Sequence, residues 1–149
     1  MFGEQYICGK KLLSVDKGRI ILPAFTNAET KEELVFVSDD LNYFTILSKR
    51  DIFHKLNQLL LKQSTAKTIE EYNFIQGQIN MIQNYCFGIE EVDYQRRILL
   101  PKELRERLSI ENSVYVSGGI TLQTPCLEVY KDEKEMNAIG AKRKSFILR

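Results

Sequence analysis

Arg19-Ile20-Ile21-Leu22-Pro23 recurs as Arg97-Ile98-Leu99-Leu100-Pro101, at an offset of 78 residues. Upstream, an acid precedes each copy, Asp16 in the first and Asp93 in the second, and Cys8 meets Cys86 at the same offset. Downstream, Leu34-Val35-Phe36-Val37-Ser38 resembles Ser113-Val114-Tyr115-Val116-Ser117 after a one-residue slip. Tyr43-Phe44-Thr45-Ile46-Leu47 then answers Cys126-Leu127-Glu128-Val129-Tyr130. Matches that recur in the same order mark an internal duplication, and a duplication decides architecture before local propensity does. The copies are assigned to residues 1–50 and 86–131, with a helical insert at 51–85 and a C-terminal helix and basic tail at 132–149.

Local signals fill in each copy. The runs Ile20-Ile21-Leu22 and Ile98-Leu99-Leu100 are β-prone and are stopped by proline, which has no N–H for a strand ladder. A helix is predicted over 102–108, where Leu104 and Leu108 share a face, with a weaker equivalent over 24–33. A strand follows, then a turn at Asp39, Asp40 and Asn42 or at Gly118-Gly119, then a closing strand. In the insert, Asp51 is the expected cap of a first helix with Ile52, Phe53, Leu56, Leu59 and Leu60 on one stripe. After a polar break at 63–67, Thr68 and Glu71 form a capping-box pattern. The second helix then carries Ile69, Tyr72, Ile75, Ile79 and Ile82. A last helix is expected to begin near Asp132, and the basic tail at 141–149 is expected to be mobile.

One such unit has too little area for a stable core, so a like unit must complete it. The expected fold is therefore α+β. Two pseudo-symmetric β-hairpin–helix–β-hairpin units form a small barrel, with the helical insert between them.

Composition sets the outer bounds. With 149 residues, 44% of them apolar and 28% charged, the chain is ordinary globular material. Lys plus Arg is 21 against 20 for Asp plus Glu, so this is no polycation, and nucleic-acid binding must come from where charges sit. Cysteines 8, 86 and 126 contain no C-x-x-C pair, which argues against a disulfide scaffold and a structural zinc site. Cys8 and Cys86 read as small apolar fillers. The single histidine, His54, excludes a multi-histidine metal centre and reads as an ordinary helix-face residue. No metal or cofactor is expected. No signal-peptide or membrane-length apolar run is visible, so the expected location is cytoplasmic and nucleoid-associated, without a membrane partner. With no Ser-His-acid set and no paired acids in an apolar frame, catalysis is disfavoured.

Val15-Asp16-Lys17-Gly18-Arg19-Ile20-Ile21-Leu22-Pro23 resembles the D-x-K-G-R-I-x-I-P stretch of AbrB/SpoVT-type swapped-hairpin DNA-binding domains. Two such copies joined by a helical insert resemble the MraZ family, a likeness that runs to about residue 135. The resemblance implies a bacterial transcriptional regulator that assembles into rings and touches DNA through an Asp-x-x-x-Arg motif in each repeat. Asp93-Tyr94-Gln95-Arg96-Arg97 matches that motif, with Arg96 where glycine is usual. In the first copy Val15 stands at the acid position and Asp16 lies one residue closer to Arg19. After its proline that copy reads Ala24-Phe25-Thr26-Asn27-Ala28-Glu29, in place of an arginine-rich helix. Two readings remain: a divergent family member with its own operator, and a tandem AbrB-like protein outside the family.

The chemistry of the motif is independent of the family. Arginine's planar fork suits phosphate oxygens or guanine O6 and N7, and a hairpin can carry it into a groove. The candidate DNA-binding residues are Lys10, Lys11, Lys17 and Arg19 in the first copy and Arg96 and Arg97 in the second. Asp16 and Asp93 are the candidate arginine-orienting residues. Arg19 and Arg97 could equally be ordinary surface ion pairs with their aspartates, which contribute little. The expected partners are double-stranded DNA and further copies of the chain, with the apolar insert helices as a surface for a protein partner. The alternative is a non-enzymatic interaction module that keeps the fold without operator binding; an AbrB-like antitoxin is a third, more distant option.

Overall fold

Each proline-stopped apolar run folds as a short strand. In the computed structural model, which describes residues 9–40, 42–121 and 124–147, Arg19–Ile21 (β2) and Arg97–Leu99 (β6) pair antiparallel with Ile20 opposite Ile98. Tight turns join them to Lys10–Ser14 (β1) and Cys86–Glu91 (β5). These two strands combine with Glu33–Asp40 (β3), Tyr43–Ser48 (β4), Ser113–Thr121 (β7) and Thr124–Tyr130 (β8) in an antiparallel sheet of order β1-β7-β8-β4-β3-β5. Helices Lys49–Ser64 (α1) and Ile69–Asn84 (α2) stand between the halves, Lys102–Arg107 (α3) follows β6, and Glu133–Ile147 (α4) closes the chain. The protein is α+β.

The strand order is palindromic: exchanging each first-half strand for its second-half counterpart returns the same order read from the other end. Each half's first strand lies against the other half's third. Lys10 is opposite Ser117 in one such pair, and Glu91 is opposite Glu33 in the other. The two-stranded β2–β6 ribbon joins the halves a second time. Leu22 N–H donates to the Arg96 carbonyl at 2.9 Å, and Leu100 N–H donates to the Gly18 carbonyl at 2.8 Å.

The main core lies between one face of the sheet and this ribbon. Ile20, Leu22, Ile98 and Leu100 meet Leu34, Phe36, Phe44, Ile46, Val114, Val116, Leu127 and Val129. Burying each such side chain contributes about 1.5–3 kcal/mol. On the opposite face, Ile52, Leu59, Ile75, Ile79 and Ile82 cover Leu47 and Cys126, while Met136 and Ile139 cover Tyr130. Tyr43 stacks on Tyr130 with ring centroids 5.1 Å apart.

Several local expectations are corrected. The inward faces align Leu34 and Phe36 with Val114 and Val116, a two-residue slip from the main offset; a one-residue slip would turn each strand over. Gly118 and Gly119 are not a turn but lie inside β7, opposite Leu127 and Cys126. Ser48, not Asp51, holds the N-cap position of α1, without a side-chain capping bond, and Asp51 sits in the first turn, where an acid suits the helix dipole. Thr68 does cap α2, its hydroxyl accepting from Glu71 N–H at 3.1 Å. The apolar stripes are narrower than predicted, since Phe53, Leu60, Ile69 and Tyr72 are exposed. The weaker helix of the first copy is a 3-10 turn at Ala24–Thr26. The backbone of the basic tail is helical to Ile147. Cys8, Leu148 and Arg149 lie outside the described residues, as do the side chains of 141–147. No described helix is long and apolar enough to cross a membrane.

Candidate nucleic-acid interface

Alternation along a strand sends successive side chains to opposite faces. Ile20 and Ile98, 1% and 0% exposed, point into the core, so Arg19, Ile21, Arg97 and Leu99 share the outer face of the ribbon. Arg19 lies opposite Leu99 and Arg97 opposite Ile21. The two arginines are therefore diagonal neighbours, with Cα atoms roughly 8 Å apart from strand rise and spacing. Neither is sealed inside.

The two turns beneath them differ. In the first, Asp16 and Arg19 exchange both backbone hydrogen bonds at 2.9 Å, leaving a two-residue loop of Lys17 and Gly18. Both loop residues have positive φ, 51° and 78°, as a type I′ hairpin turn requires. In the second, Asp93 N–H donates to the Arg97 carbonyl and Arg96 N–H donates to the Asp93 carbonyl, both at 3.0 Å. That closes a three-residue loop with Arg96 left-handed at φ 59°, where glycine would cost nothing.

One residue of spacing decides what each acid can do. The Asp93 Oδ1 accepts from Gln95 N–H at 2.9 Å and from Arg97 N–H at 2.8 Å, while Oδ2 accepts from Arg97 Nε at 2.8 Å. The guanidinium of Arg97 is thus held through its Nε. Partial removal from water raises the Asp93 carboxyl, but the hydrogen bonds from Arg97 and Gln95 and the arginine's charge outweigh this and hold it below the ordinary aspartate value. Asp16 makes no such contact: among the described residues, Arg19 has no side-chain hydrogen bond or ion pair. The two-residue loop instead pairs Asp16 and Arg19 through their backbones.

Lys17 and Arg96 are exposed at the two tips, beside Arg19 and Arg97. Lys10 and Lys11 are exposed at the far end of β1, about 20 Å from the turn along an extended strand, so they are not brought to the tip. One cation was missed by sequence reasoning. Arg105 of α3 donates from Nε to the Leu100 carbonyl at 3.0 Å. Its guanidinium lies across Gly18, where an added Cβ would come within 2.8 Å of Cζ. The residues legible beforehand were the glycine and the basic helix; their contact crosses between the halves. Lys17 and Arg96 at the tips and Arg19 and Arg97 on the ribbon thus gather four cations near Asp16 and Asp93 in a chain of net charge +1, with Arg105 packed against Gly18 beside them.

No family model matches the chain. Among known proteins it is similar to "Transcriptional regulator MraZ" of Caldanaerobacter subterraneus subsp. tengcongensis, 32% identical over 108 residues, covering 70% of this chain and 68% of that one. MraZ proteins of a Thermoanaerobacter species and of Caldicellulosiruptor bescii match at 32% with the same coverage. With the duplicated motif and the paired hairpins, these matches make the chain a divergent member of the MraZ family.

Proposed function

We propose that the chain is a sequence-specific DNA-binding transcriptional regulator built from tandem AbrB-like swapped-hairpin repeats, residues 1–50 and 86–131. It reads double-stranded DNA with the outer face of the β2–β6 ribbon. The observation that carries this reading is the placement of Arg19 and Arg97 side by side on one outward face. A two-stranded ribbon fits the major groove, and arginine takes guanine O6 and N7 or phosphate as a bidentate pair. Lys17, Arg96 and Arg105 add phosphate contacts; Lys10 and Lys11, further along β1, would meet only the flanking backbone. The names of the matched relatives agree with this role.

Repeated sites raise affinity by multivalency, and the reading includes an oligomer on repeated DNA boxes. Leu60 and Leu61 at the end of α1, with Ile69 and Phe74 of α2, are exposed and offer an apolar surface for a second copy. The same surface is what favours the alternative, an interaction module without an operator.

Genomic DNA captured by the purified protein at two salt concentrations, then sequenced, supplies the operator. Wild-type affinity should fall with salt at a log–log slope of roughly −4 for about four phosphate neutralisations per ribbon. Arg19→Ala/Arg97→Ala should abolish operator binding and leave thermal unfolding nearly unchanged. Wild-type protein that captures no DNA at low salt, or a double variant that binds as wild type, overturns the reading.

A further inference from the structure

The outer face of the ribbon carries an apolar side chain between its arginines. Ile21 is 60% exposed, directly opposite Arg97 and two residues along the same face from Arg19. A single exposed isoleucine on a strand is ordinary and needs no explanation. This one is flanked on both sides by guanidinium groups, and one of those is fixed in place by Asp93. Its pseudo-symmetric counterpart, Leu99, is partly covered, so only one apolar contact of the pair stands free.

Directly opposed residues on an antiparallel pair have Cβ atoms about 5 Å apart, and base pairs rise about 3.4 Å per step. If Arg97 engages one base pair, Ile21 falls one or two steps away in the same groove. The only apolar group that a base pair offers in the major groove is the thymine 5-methyl. The geometry points to Ile21 as a specificity-determining residue that packs on a thymine methyl next to the arginine contact. The inference rests on the proposed DNA reading and adds to it a preference at one base position.

The test uses the full chain and the operator duplex recovered by genomic capture. Each thymine is replaced singly by deoxyuridine, which removes the methyl and keeps every base-pair hydrogen bond. Wild-type protein should lose about fourfold in affinity at one such position, the worth of one buried methyl. Ile21→Ala should bind the thymine and uracil duplexes equally, and Ile21→Val should restore most of the discrimination. The substitution is at an exposed site, and circular dichroism on each variant checks that the fold is kept. Wild-type affinity indifferent to every deoxyuridine, or an undiminished penalty in Ile21→Ala, overturns the inference while leaving DNA binding in place. Failure of the wild type to bind any duplex removes the functional reading itself, and the inference with it.

Discussion

The two hairpins descend from the same sequence pattern and close in different ways. In the β1–β2 hairpin, a two-residue loop uses Lys17 and Gly18, both left-handed, and its arginine stands without a partner among the described residues. In the β5–β6 hairpin, a third loop residue lets Asp93 take two backbone N–H groups and the side chain of Arg97. The Arg19 guanidinium has no hydrogen-bond or ion-pair partner among the described residues, whereas that of Arg97 is held through Nε by the Asp93 carboxylate. One residue of loop length thus separates an arginine without a side-chain partner among the described residues from one held by an acid.

The largest test of the shared frame lies under the loops. Ile20 and Ile98 are equally buried and face each other across the ribbon, so Ile20→Ala and Ile98→Ala should each destabilise by about 3 kcal/mol, measured by denaturant unfolding. Unequal losses, with one variant near neutral, would break the symmetry of the ribbon. A smaller and opposite pair of effects separates the tips. Gly18→Ala puts a side chain at φ 78° and against Arg105, and should cost about 1–2 kcal/mol. Arg96→Gly relieves a non-glycine residue at φ 59° and should gain about 1 kcal/mol while weakening DNA binding. A stabilised variant that binds DNA as well as the wild type would exclude Arg96 from the interface.

The smallest expected effect is a slope. Because Asp93 is held below its ordinary value, its contribution to stability is present above the unfolded aspartate pKa and is lost as pH falls through the folded one. Below about pH 4, melting temperature should therefore fall more steeply in wild type than in Asp93→Asn. Parallel curves would show that the carboxylate does not hold the second turn.

How much of this was legible depended on the range of the interaction. The proline-stopped strands and the Thr68 cap are local patterns, and each is found where the residues placed it. Gly118-Gly119 misled because glycine in a strand looks like a turn; here Gly119 leaves room for the side chain of Glu128 on the neighbouring strand. Phe53 and Leu60 fit a helical stripe by spacing, but only the residues that face the sheet are covered. In the site, the residue types were readable and their partners were not. The loop that pins Arg97 depends on a count of one residue, and the Arg105–Gly18 contact joins segments that no periodicity links.

The pairing of β1 with β7 has a consequence for biosynthesis. Lys10 meets Ser117 only after some hundred further residues have been added, an interval of about 5–20 s at ordinary translation rates. Until then the first hairpin emerges from the ribosome with its edge and its apolar side uncovered. The nascent chain must be kept from other strands until β7 has been made.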